Sequence, residues 1–283
     1  MSQACSHDSN APTQAGELEQ RVREAMARVK HKLLVMSGKG GVGKSTVAVN
    51  LAVALAGRGR AVGLLDVDLH GPSIPAMLGM NGQRPDSDGR KVSPLVHGKN
   101  LKVLSMGNFL PSVDDAVIWR GPMKISAIRQ LLGDADWGAL DYLVIDSPPG
   151  TGDEPLTVAQ EVPGVQAIVV TTPQEVSLAD VRKSITFCRQ VGMPVVGVIE
   201  NMSGFVCPGC GRVENLFGTG GGERMASQSG VPFLGKIPID PLVVASGELG
   251  QPLVEESPGS PASAAYQAIT ERIEKTLTQP LNG

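Results

Sequence analysis

The feature that most constrains this chain is a glycine-rich stretch, Ser37–Thr46, with the sequence SGKGGVGKST. The apolar run Leu33–Met36 precedes it and is typical of a short buried strand. The apolar run Val47–Ala56 follows it and is typical of a helix packed against a sheet. A strand, the pattern Gly-x-x-x-x-Gly-Lys-Ser and a helix, in this order, predict a phosphate-binding loop.

Each part of this loop has a task in holding phosphate. The glycines let successive backbone N–H groups point at phosphate oxygens, and the start of the helix adds partial positive charge. Lys44 is expected to reach the β- and γ-phosphates, and the Ser45 hydroxyl is expected to bind Mg²⁺. A glycine-rich turn without a ligand is the alternative, and the flanking strand and helix disfavour it. The predicted nucleotide-binding residues of the loop are Gly38, Lys39, Gly40, Gly41, Val42, Gly43, Lys44, Ser45 and Thr46.

The composition fits the fold that such a loop requires. The chain has 283 residues, of which 41% are hydrophobic and only 3% aromatic. A core of Val, Leu, Ile and Ala suits parallel strands covered by helices. We therefore expect one α/β P-loop NTPase domain over residues 17–278, with a mostly parallel central sheet flanked by helices on both faces. Residues 1–16 are expected to be a disordered polar tail, with a helix over residues 17–31, and residues 279–283 a short tail.

Charge and cysteine content narrow the class of partner. The formal net charge is −3, so no general basic field favours nucleic acid. No apolar run is long enough to cross a bilayer, and the N-terminus does not read as a signal peptide. Four cysteines are too few for a disulfide scaffold in a chain of this length. These observations predict a cytoplasmic protein without a membrane or nucleic-acid partner.

A second motif begins with the apolar run Asp141–Asp146 and continues as SPPGTGD. A strand that ends in Asp, later in the chain than the phosphate-binding loop, predicts a carboxylate that holds Mg²⁺, usually through water. Gly150 tolerates large changes in φ and ψ, so its loop can respond to a γ-phosphate, and its N–H is predicted to sense that group. Residues 81–115 are rich in Gly, Pro, Asp and Ser, with a strand-like piece at Leu101–Met106, and are expected to form a peripheral insertion.

A third motif is an insertion near residues 205–212 that contains Cys207-Pro208-Gly209-Cys210. Two cysteines at this spacing aim both sulfurs at one point, and thiolates favour Zn²⁺ or an iron–sulfur cluster. A tetrahedral site needs four ligands, and the chain has no second Cys-x-x-Cys. Two subunits that each donate a pair across a two-fold axis would complete the site. The spacing alone leaves zinc and a cluster open. Cys188 lies in an apolar helix and is expected to be a buried packing residue.

The lysine within the phosphate-binding loop makes it similar to the deviant Walker A of the MinD, ParA and nitrogenase iron protein group of dimerising ATPases. The resemblance implies that Lys39 reaches the partner's phosphates in a nucleotide-sandwich dimer and acts in catalysis with Lys44. It also implies that Asp68 positions the attacking water and that Asp66 supports Mg²⁺ and the loop. The alternative for these carboxylates is capping of a helix that starts near Ser73.

The same group holds the adenine ring at positions that match three residues of this chain, Asn201, Pro238 and Asp240. Ordinary turn chemistry at strand ends is the alternative, above all for Asp240. The three positions are therefore predicted to contact the base of ATP by amide hydrogen bonding and by packing.

Taken together, the motifs resemble the Mrp/ApbC family of iron–sulfur carrier ATPases over residues 30–270. The further motifs that carry this resemblance are DVDLHGPSIP at residues 66–75, DSPPGTGD at 146–153, ENMS at 200–203 and CPGC at 207–210. It implies a homodimer that binds a labile 4Fe-4S cluster on Cys207 and Cys210 of both subunits. ATP hydrolysis, expected to be slow, would govern cluster loading and transfer to apo iron–sulfur proteins. Cys5 is the only cysteine near the N-terminus, so no second cluster is expected.

The main rival is a MinD- or ParA-like positioning ATPase whose cysteines hold a structural zinc clasp. MinD-like members bind membranes through a basic amphipathic C-terminal helix. Here residues 264–277 carry two basic residues, Arg272 and Lys275, against Glu271 and Glu274. The rival therefore lacks its expected membrane helix, although zinc remains an alternative for the cysteines.

Overall fold

The computed structural model describes residues 14–109, 120–207 and 209–278. Of the tail predicted at 1–16, residues 1–13 lie outside the described residues, as does the tail predicted at 279–283. The helices are α1 (Gln14–Ala27), α2 (Lys44–Gly57), α3 (Ile74–Met77), α4 (Gly121–Gly133), α5 (Asp153–Glu161), α6 (Glu175–Gln190), α7 (Gly221–Gln228), α8 (Pro241–Glu248), α9 (Leu253–Glu256) and α10 (Pro261–Thr278). The strands are β1 (Val29–Met36), β2 (Val62–Asp66), β3 (Asp86–Ser87), β4 (Val92–Ser93), β5 (Leu95–His97), β6 (Leu101–Ser105), β7 (Leu140–Asp146), β8 (Val165–Thr171), β9 (Val195–Glu200), β10 (Phe205–Val206), β11 (Val213–Glu214) and β12 (Phe233–Lys236).

Eight of the strands form one sheet in the order β12-β9-β8-β1-β7-β2-β6-β5. All neighbours in it are parallel except β5, which runs antiparallel to β6. One apolar layer packs α2, α9 and α10 against one face, and a second packs α1, α4, α5 and α6 against the other. The predicted fold class, a mostly parallel sheet with helices on both faces, is confirmed.

The centre of the sheet follows from the apolar run before the phosphate-binding loop. Leu33–Met36 are fully buried in β1, and β1 has a parallel neighbour on each side. Helix α2 is buried along almost its whole length, because it lies against the sheet and is covered by α9 and α10. This packing fixes where the loop between β1 and α2 stands.

The bounds predicted for the first helix, 17–31, and the peripheral place predicted for Leu101–Met106 are both wrong. The first helix begins at Gln14 and ends at Ala27, and Val29 already belongs to β1, because it is buried and pairs with Leu140. Leu101–Ser105 is not peripheral: it forms β6, parallel to β2, and its Leu and Val side chains are buried in the core. The hairpin of β3 and β4 is a separate two-stranded sheet, in keeping with an insertion there.

The cysteine motif lies on a small hairpin after β9. Strands β10 and β11 pair antiparallel, with Phe205 opposite Glu214 and Val206 opposite Val213. We call β10, β11 and the two cysteines between them the thiol hairpin. Cys188, in α6, is completely buried as predicted, with its sulfur 3.6 Å from that of Met36. None of the helices described is both long and apolar enough to cross a bilayer.

Candidate nucleotide and metal site

The predicted site residues meet at one edge of the sheet because parallel strands bring their carboxyl ends together. The phosphate-binding loop follows β1, Asp66 ends β2 and Asp146 ends β7. Asp66 and Asp146 are directly opposite each other in the register of β2 and β7. Two carboxylates from distant parts of the chain therefore stand side by side next to the loop.

The loop adopts a backbone that requires its glycines. Gly41 and Gly43 have φ of 77° and 78°, in the left-handed region that glycine enters without steric cost. A β-carbon at Gly43 would also collide with the side-chain amide of Asn201, and one at Gly38 would collide with Asp180. The glycines of the motif thus serve both the turn and the close approach of neighbouring segments.

Lys44 is the most buried cation of the site, with 6% of its surface exposed. Its Nζ lies 2.5 Å from Asp146 Oδ1 and 3.1 Å from Ser45 Oγ. Asp146 is fully buried, and its Oδ2 has no hydrogen-bond partner among the described residues. An unpaired buried carboxylate oxygen near a hydroxyl is an oxygen donor set that suits Mg²⁺. The residues present therefore fit the predicted metal.

Asp66 supports the loop that follows it. Its Oδ1 accepts the backbone N–H of Asp68 at 3.0 Å, and its Oδ2 accepts the Ser105 hydroxyl at 2.9 Å. Burial, reinforced by the nearby charge of Asp146, raises the pKa of Asp66 to about 8. Burial also raises the pKa of Asp146, while the Lys44 ammonium opposes this. The site thus holds a cluster of poorly solvated carboxyl groups that a cation would stabilise.

Ser105 was not predicted from the sequence. It ends β6, which pairs with β2 in register so that Ser105 lies opposite Asp66. The only sequence signal would have been the recognition of Leu101–Ser105 as a strand of the main sheet.

Asp68 and Gly150 stand on the two loops predicted to respond to nucleotide. Asp68 does not cap α3: its Oδ1 accepts the N–H of Gly71 at 3.2 Å within its own loop. Gly150 has φ of 92°, and its N–H donates to the carbonyl of Ser37 at 2.7 Å. A role of this N–H at a γ-phosphate requires that bond to open, and it stays a prediction, as does the water-positioning role of Asp68.

The side chain of Lys39 is partly exposed, and no ion pair to it occurs among the residues described. Its carbonyl accepts the hydroxyl of Ser37 at 2.9 Å, which fixes the backbone of the loop at this residue. The reach of Lys39 into a second subunit stays a prediction.

Of the three predicted adenine residues, Asn201 contacts the phosphate-binding loop. The Asn201 amide is buried and donates from Nδ2 to the carbonyl of Val42 at 2.9 Å. Asp240 caps α8, because its Oδ1 accepts the N–H of Leu242 at 3.0 Å. Its Oδ2 is buried, with no hydrogen-bond partner in the part of the chain that the structure describes. The turn chemistry proposed as the alternative for Asp240 is therefore present. Contact of Asn201, Pro238 and Asp240 with adenine stays a prediction.

The thiol hairpin presents a free and accessible pair of sulfurs. Cys207 is partly buried and Cys210 is exposed, and both are free thiols. Hydrogen bonds from the backbone N–H groups of Gly209 and Cys210 lower the pKa of Cys207, which favours the thiolate that binds metals. Among the residues described, no cluster of three or more Cys, His, Asp or Glu could hold a metal ion. That Cys207 and Cys210 bind a metal stays a prediction.

A family model described as the NUBPL iron-transfer P-loop NTPase of the ParA group matches residues 28–274. An iron-sulfur cluster carrier protein of Methanocaldococcus jannaschii is 50% identical, over 89% of this chain and 87% of the relative. The human cytosolic Fe-S cluster assembly factor NUBP2 is 49% identical, over 88% of this chain and 93% of the relative.

Solved structures of a nucleotide-binding protein and of an ATPase have a similar fold. A nucleotide-binding protein of Archaeoglobus fulgidus, solved in complex with ADP, has a TM-score of 0.74 and 40% identity, over 84% of this chain and 93% of that one. The cell division ATPase MinD of Pyrococcus furiosus has a TM-score of 0.64 and 26% identity, over 87% and 98%. With its phosphate-binding loop, paired carboxylates and thiol hairpin, the chain belongs to the NUBPL iron-transfer P-loop NTPase family.

Proposed function

We propose that this protein is an ATP-hydrolysing carrier that binds a 4Fe-4S cluster between two subunits and delivers it to apo iron–sulfur proteins. The observation that carries the proposal is the presence, in one domain, of a phosphate-binding loop with a buried Lys44–Asp146 pair and of a free thiol pair on an exposed hairpin. A positioning ATPase needs the first site but not the second. The names of the relatives from Methanocaldococcus jannaschii and human support the same conclusion.

The nucleotide site explains how ATP would be held. Lys44 is already oriented toward the loop, and exchange of its partner Asp146 for phosphate oxygens keeps its charge neutralised. Ser45 and the free oxygen of Asp146 would hold Mg²⁺, which supplies charge neutralisation at the phosphates. Asp68 would orient the attacking water. Hydrolysis would be slow in a lone subunit because Lys39 would stabilise the developing charge only across a closed dimer.

The cluster is cargo rather than a resident cofactor. Cys207 and Cys210 of two subunits supply four thiolates, the number that a 4Fe-4S cluster takes. Because Cys210 is exposed, a thiolate of a recipient protein could approach the bound cluster. It would displace one cysteine thiolate of the carrier at a time, until the cluster is held by the recipient. We place the protein in the cytoplasm, as the name of the human relative suggests, without a membrane or nucleic-acid partner.

The test is anaerobic reconstitution of the full chain with iron and sulfide, followed by iron, sulfide and zinc analysis per dimer. About four irons and four sulfides per dimer are expected, and Cys207→Ala should lose them. Cys188→Ala is the matched control, because this thiol is buried away from the hairpin and its loss should leave the iron content unchanged. One zinc per dimer and no stable iron would refute the carrier and leave a dimerising ATPase with a structural clasp.

A further inference from the structure

A short segment before the thiol hairpin, which we call the connector, is hydrogen-bonded to the phosphate-binding loop. It consists of Glu200–Gly204 and runs from the end of β9 to the start of β10. The buried amide of Asn201 binds the carbonyl of Val42, in the loop, at 2.9 Å. A shift of Val42 on nucleotide binding would therefore act directly on the connector through this bond.

The connector is also bound to the loop after β12. The N–H of Ser203 donates to the carbonyl of Ile237 at 2.8 Å, and the N–H of Ile239 donates to the carbonyl of Gly204 at 2.7 Å. Ile239 lies between Pro238 and Asp240, the residues predicted to contact adenine. Both segments predicted to touch the nucleotide thus hold the connector by direct hydrogen bonds.

Glu200 joins the two ends of the segment that carries the cysteines. Its side chain is completely buried, and its Oε1 accepts the Ser203 hydroxyl at 2.5 Å and the N–H of Gly220 at 3.0 Å. Its Oε2 accepts the N–H of Gly222 at 2.6 Å, at the start of α7. Ser203 precedes the thiol hairpin and Gly220 follows it. A single carboxylate therefore ties the exit of the hairpin to its entrance.

Met202 shows that the connector is held rather than relaxed. It is the only residue other than glycine with a positive φ in the described part of the chain, at 55°. This conformation is unfavourable for a side chain with a β-carbon and persists only where surrounding contacts impose it. Here the hydrogen bonds of Asn201 and Ser203, on either side of Met202, impose it. A segment under such constraint moves when its anchors move.

We infer that Glu200 is a positioning residue that couples nucleotide binding at the phosphate-binding loop to metal binding by Cys207 and Cys210. Displacement of Val42 by nucleotide passes through Asn201 to the connector. Because Glu200 binds residues before and after the thiol hairpin, both ends of the hairpin move together. The distance between the two sulfurs and their orientation therefore change at the same time. The inference rests on the proposed function, since it requires that ATP and a metal both bind.

Linkage defines what must be measured. If nucleotide changes the metal affinity by some factor, the metal changes the nucleotide affinity by the same factor. Zn²⁺ is the probe, because it binds thiolate pairs without reconstitution chemistry, and ADP is the nucleotide, because it is not hydrolysed. The dissociation constant of Zn²⁺ is measured by competition with a chelator, with and without ADP and Mg²⁺, on the full chain. We call the ratio of the two constants the coupling factor.

In the wild-type protein the coupling factor should be about 5 to 150. Glu200→Gln retains the shape of the side chain but replaces one of the two carboxylate oxygens, each of which accepts a backbone N–H, by an amide nitrogen that cannot accept. The factor should therefore fall to within about twofold of one. Zn²⁺ binding without ADP, and ADP binding without Zn²⁺, should each stay within about threefold of wild type. If the substitution only damaged the structure, the affinities for Zn²⁺ and for ADP would both fall. A coupling residue instead changes the coupling factor while both separate affinities stay near wild type.

Glu223→Gln is the matched control. It makes the same chemical change at an exposed residue of α7, the helix whose start Glu200 binds, and Glu223 pairs there with Lys236 at 2.8 Å. Its coupling factor should equal that of the wild type. If Glu200→Gln does not fold, as judged by circular dichroism, Ser203→Ala decides, because it removes only the hydroxyl contact to Glu200 and should lower the factor at least about twofold.

A folded Glu200→Gln protein with the wild-type coupling factor overturns the inference, and so does a wild-type factor of one. An unchanged factor in Ser203→Ala overturns it where Glu200→Gln does not fold. None of these results touches the proposed function, which depends on iron and sulfide content after reconstitution. Conversely, a protein that binds zinc but no cluster would refute the carrier and leave the coupling measurable.

Discussion

Asp66 gives a quantitative prediction, because it is a fully buried carboxyl group beside a second one. Its pKa is raised to about 8 from an ordinary value of 3.8, first by burial and then by the charge of Asp146. A carboxyl group whose pKa is higher in the folded protein binds protons better there than in the unfolded chain. Its contribution to stability is therefore complete at pH below 3.8 and is lost as the pH rises toward 8.

The magnitude follows from this difference. At pH 7 an unfolded carboxyl group is about three pH units above its pKa, while Asp66 is still protonated. At about 1.4 kcal/mol per unit, folding costs up to about 4 kcal/mol at this group. Relaxation of the site and entry of water reduce the cost, so we expect about 2 kcal/mol or more.

Asp66→Asn should remove this cost from the protein without metal and nucleotide. Asparagine retains an oxygen that accepts the N–H of Asp68. Its NH₂ group can donate to the Ser105 hydroxyl, which then accepts where it donates in the wild type. The variant should match the wild type near pH 4 and be more stable by about 2 kcal/mol or more at pH 8. The same substitution should weaken Mg²⁺-dependent ATP binding, because asparagine cannot ionise to place a carboxylate beside the cation.

The assay is urea unfolding followed by circular dichroism between pH 4 and pH 9, with a chelator and a reductant and without nucleotide. Asp136→Asn makes the same change at an exposed carboxylate and should alter stability by less than about 0.5 kcal/mol throughout. A stability difference between Asp66→Asn and wild type that is independent of pH, or a variant that is less stable at pH 8, would refute the reasoning.

Three further predictions concern the nucleotide and thiol sites. Lys44→Ala should abolish ATP binding in a filter or calorimetric assay and leave the iron content after reconstitution unchanged; a variant that still couples ATP to cluster transfer would contradict the proposed switch. Lys39→Ala should reduce the hydrolysis rate by about 10³-fold in a phosphate-release assay while nucleotide binding persists, and wild-type turnover would exclude action in trans. Gly43→Ala should lower ATP affinity by at least about tenfold, since its φ of 78° and the Asn201 amide both exclude a β-carbon, and unchanged affinity would show that the loop adapts.

The sequence was sufficient for the parts of the site that lie on single motifs. The phosphate-binding loop, with its flanking strand and helix, fixes Lys44 and Ser45 locally. That Asp66 and Asp146 lie opposite each other follows because parallel strands end at one edge of the sheet. The fold class followed from the same apolar strands.

Other parts depend on contacts between distant segments and were missed. Leu101–Met106 was predicted to be strand-like, but the turn-forming residues around it made it look peripheral. Its place in the main sheet was therefore missed, and with it the partner of Asp66, Ser105. Glu200 appeared only as part of a motif, because nothing local indicates that its carboxylate binds the start of α7. The hydrogen bond from Gly150 to Ser37 likewise joins two loops that are far apart in the sequence, so no local pattern predicts it.

The lengths of the strands have a consequence for how copies of this chain can associate. The sheet tapers from eight residues in the central β1 to four in β12 and three in β5, its two outermost strands. Open strand borders are templates on which chains polymerise, and short borders offer few free amide and carbonyl groups for this. Val213 in β11 and Leu216 just after it are exposed apolar side chains near the cysteines. The short outer strands therefore disfavour growth into fibres, and the proposed dimer would form at the exposed apolar side chains beside the cysteines instead.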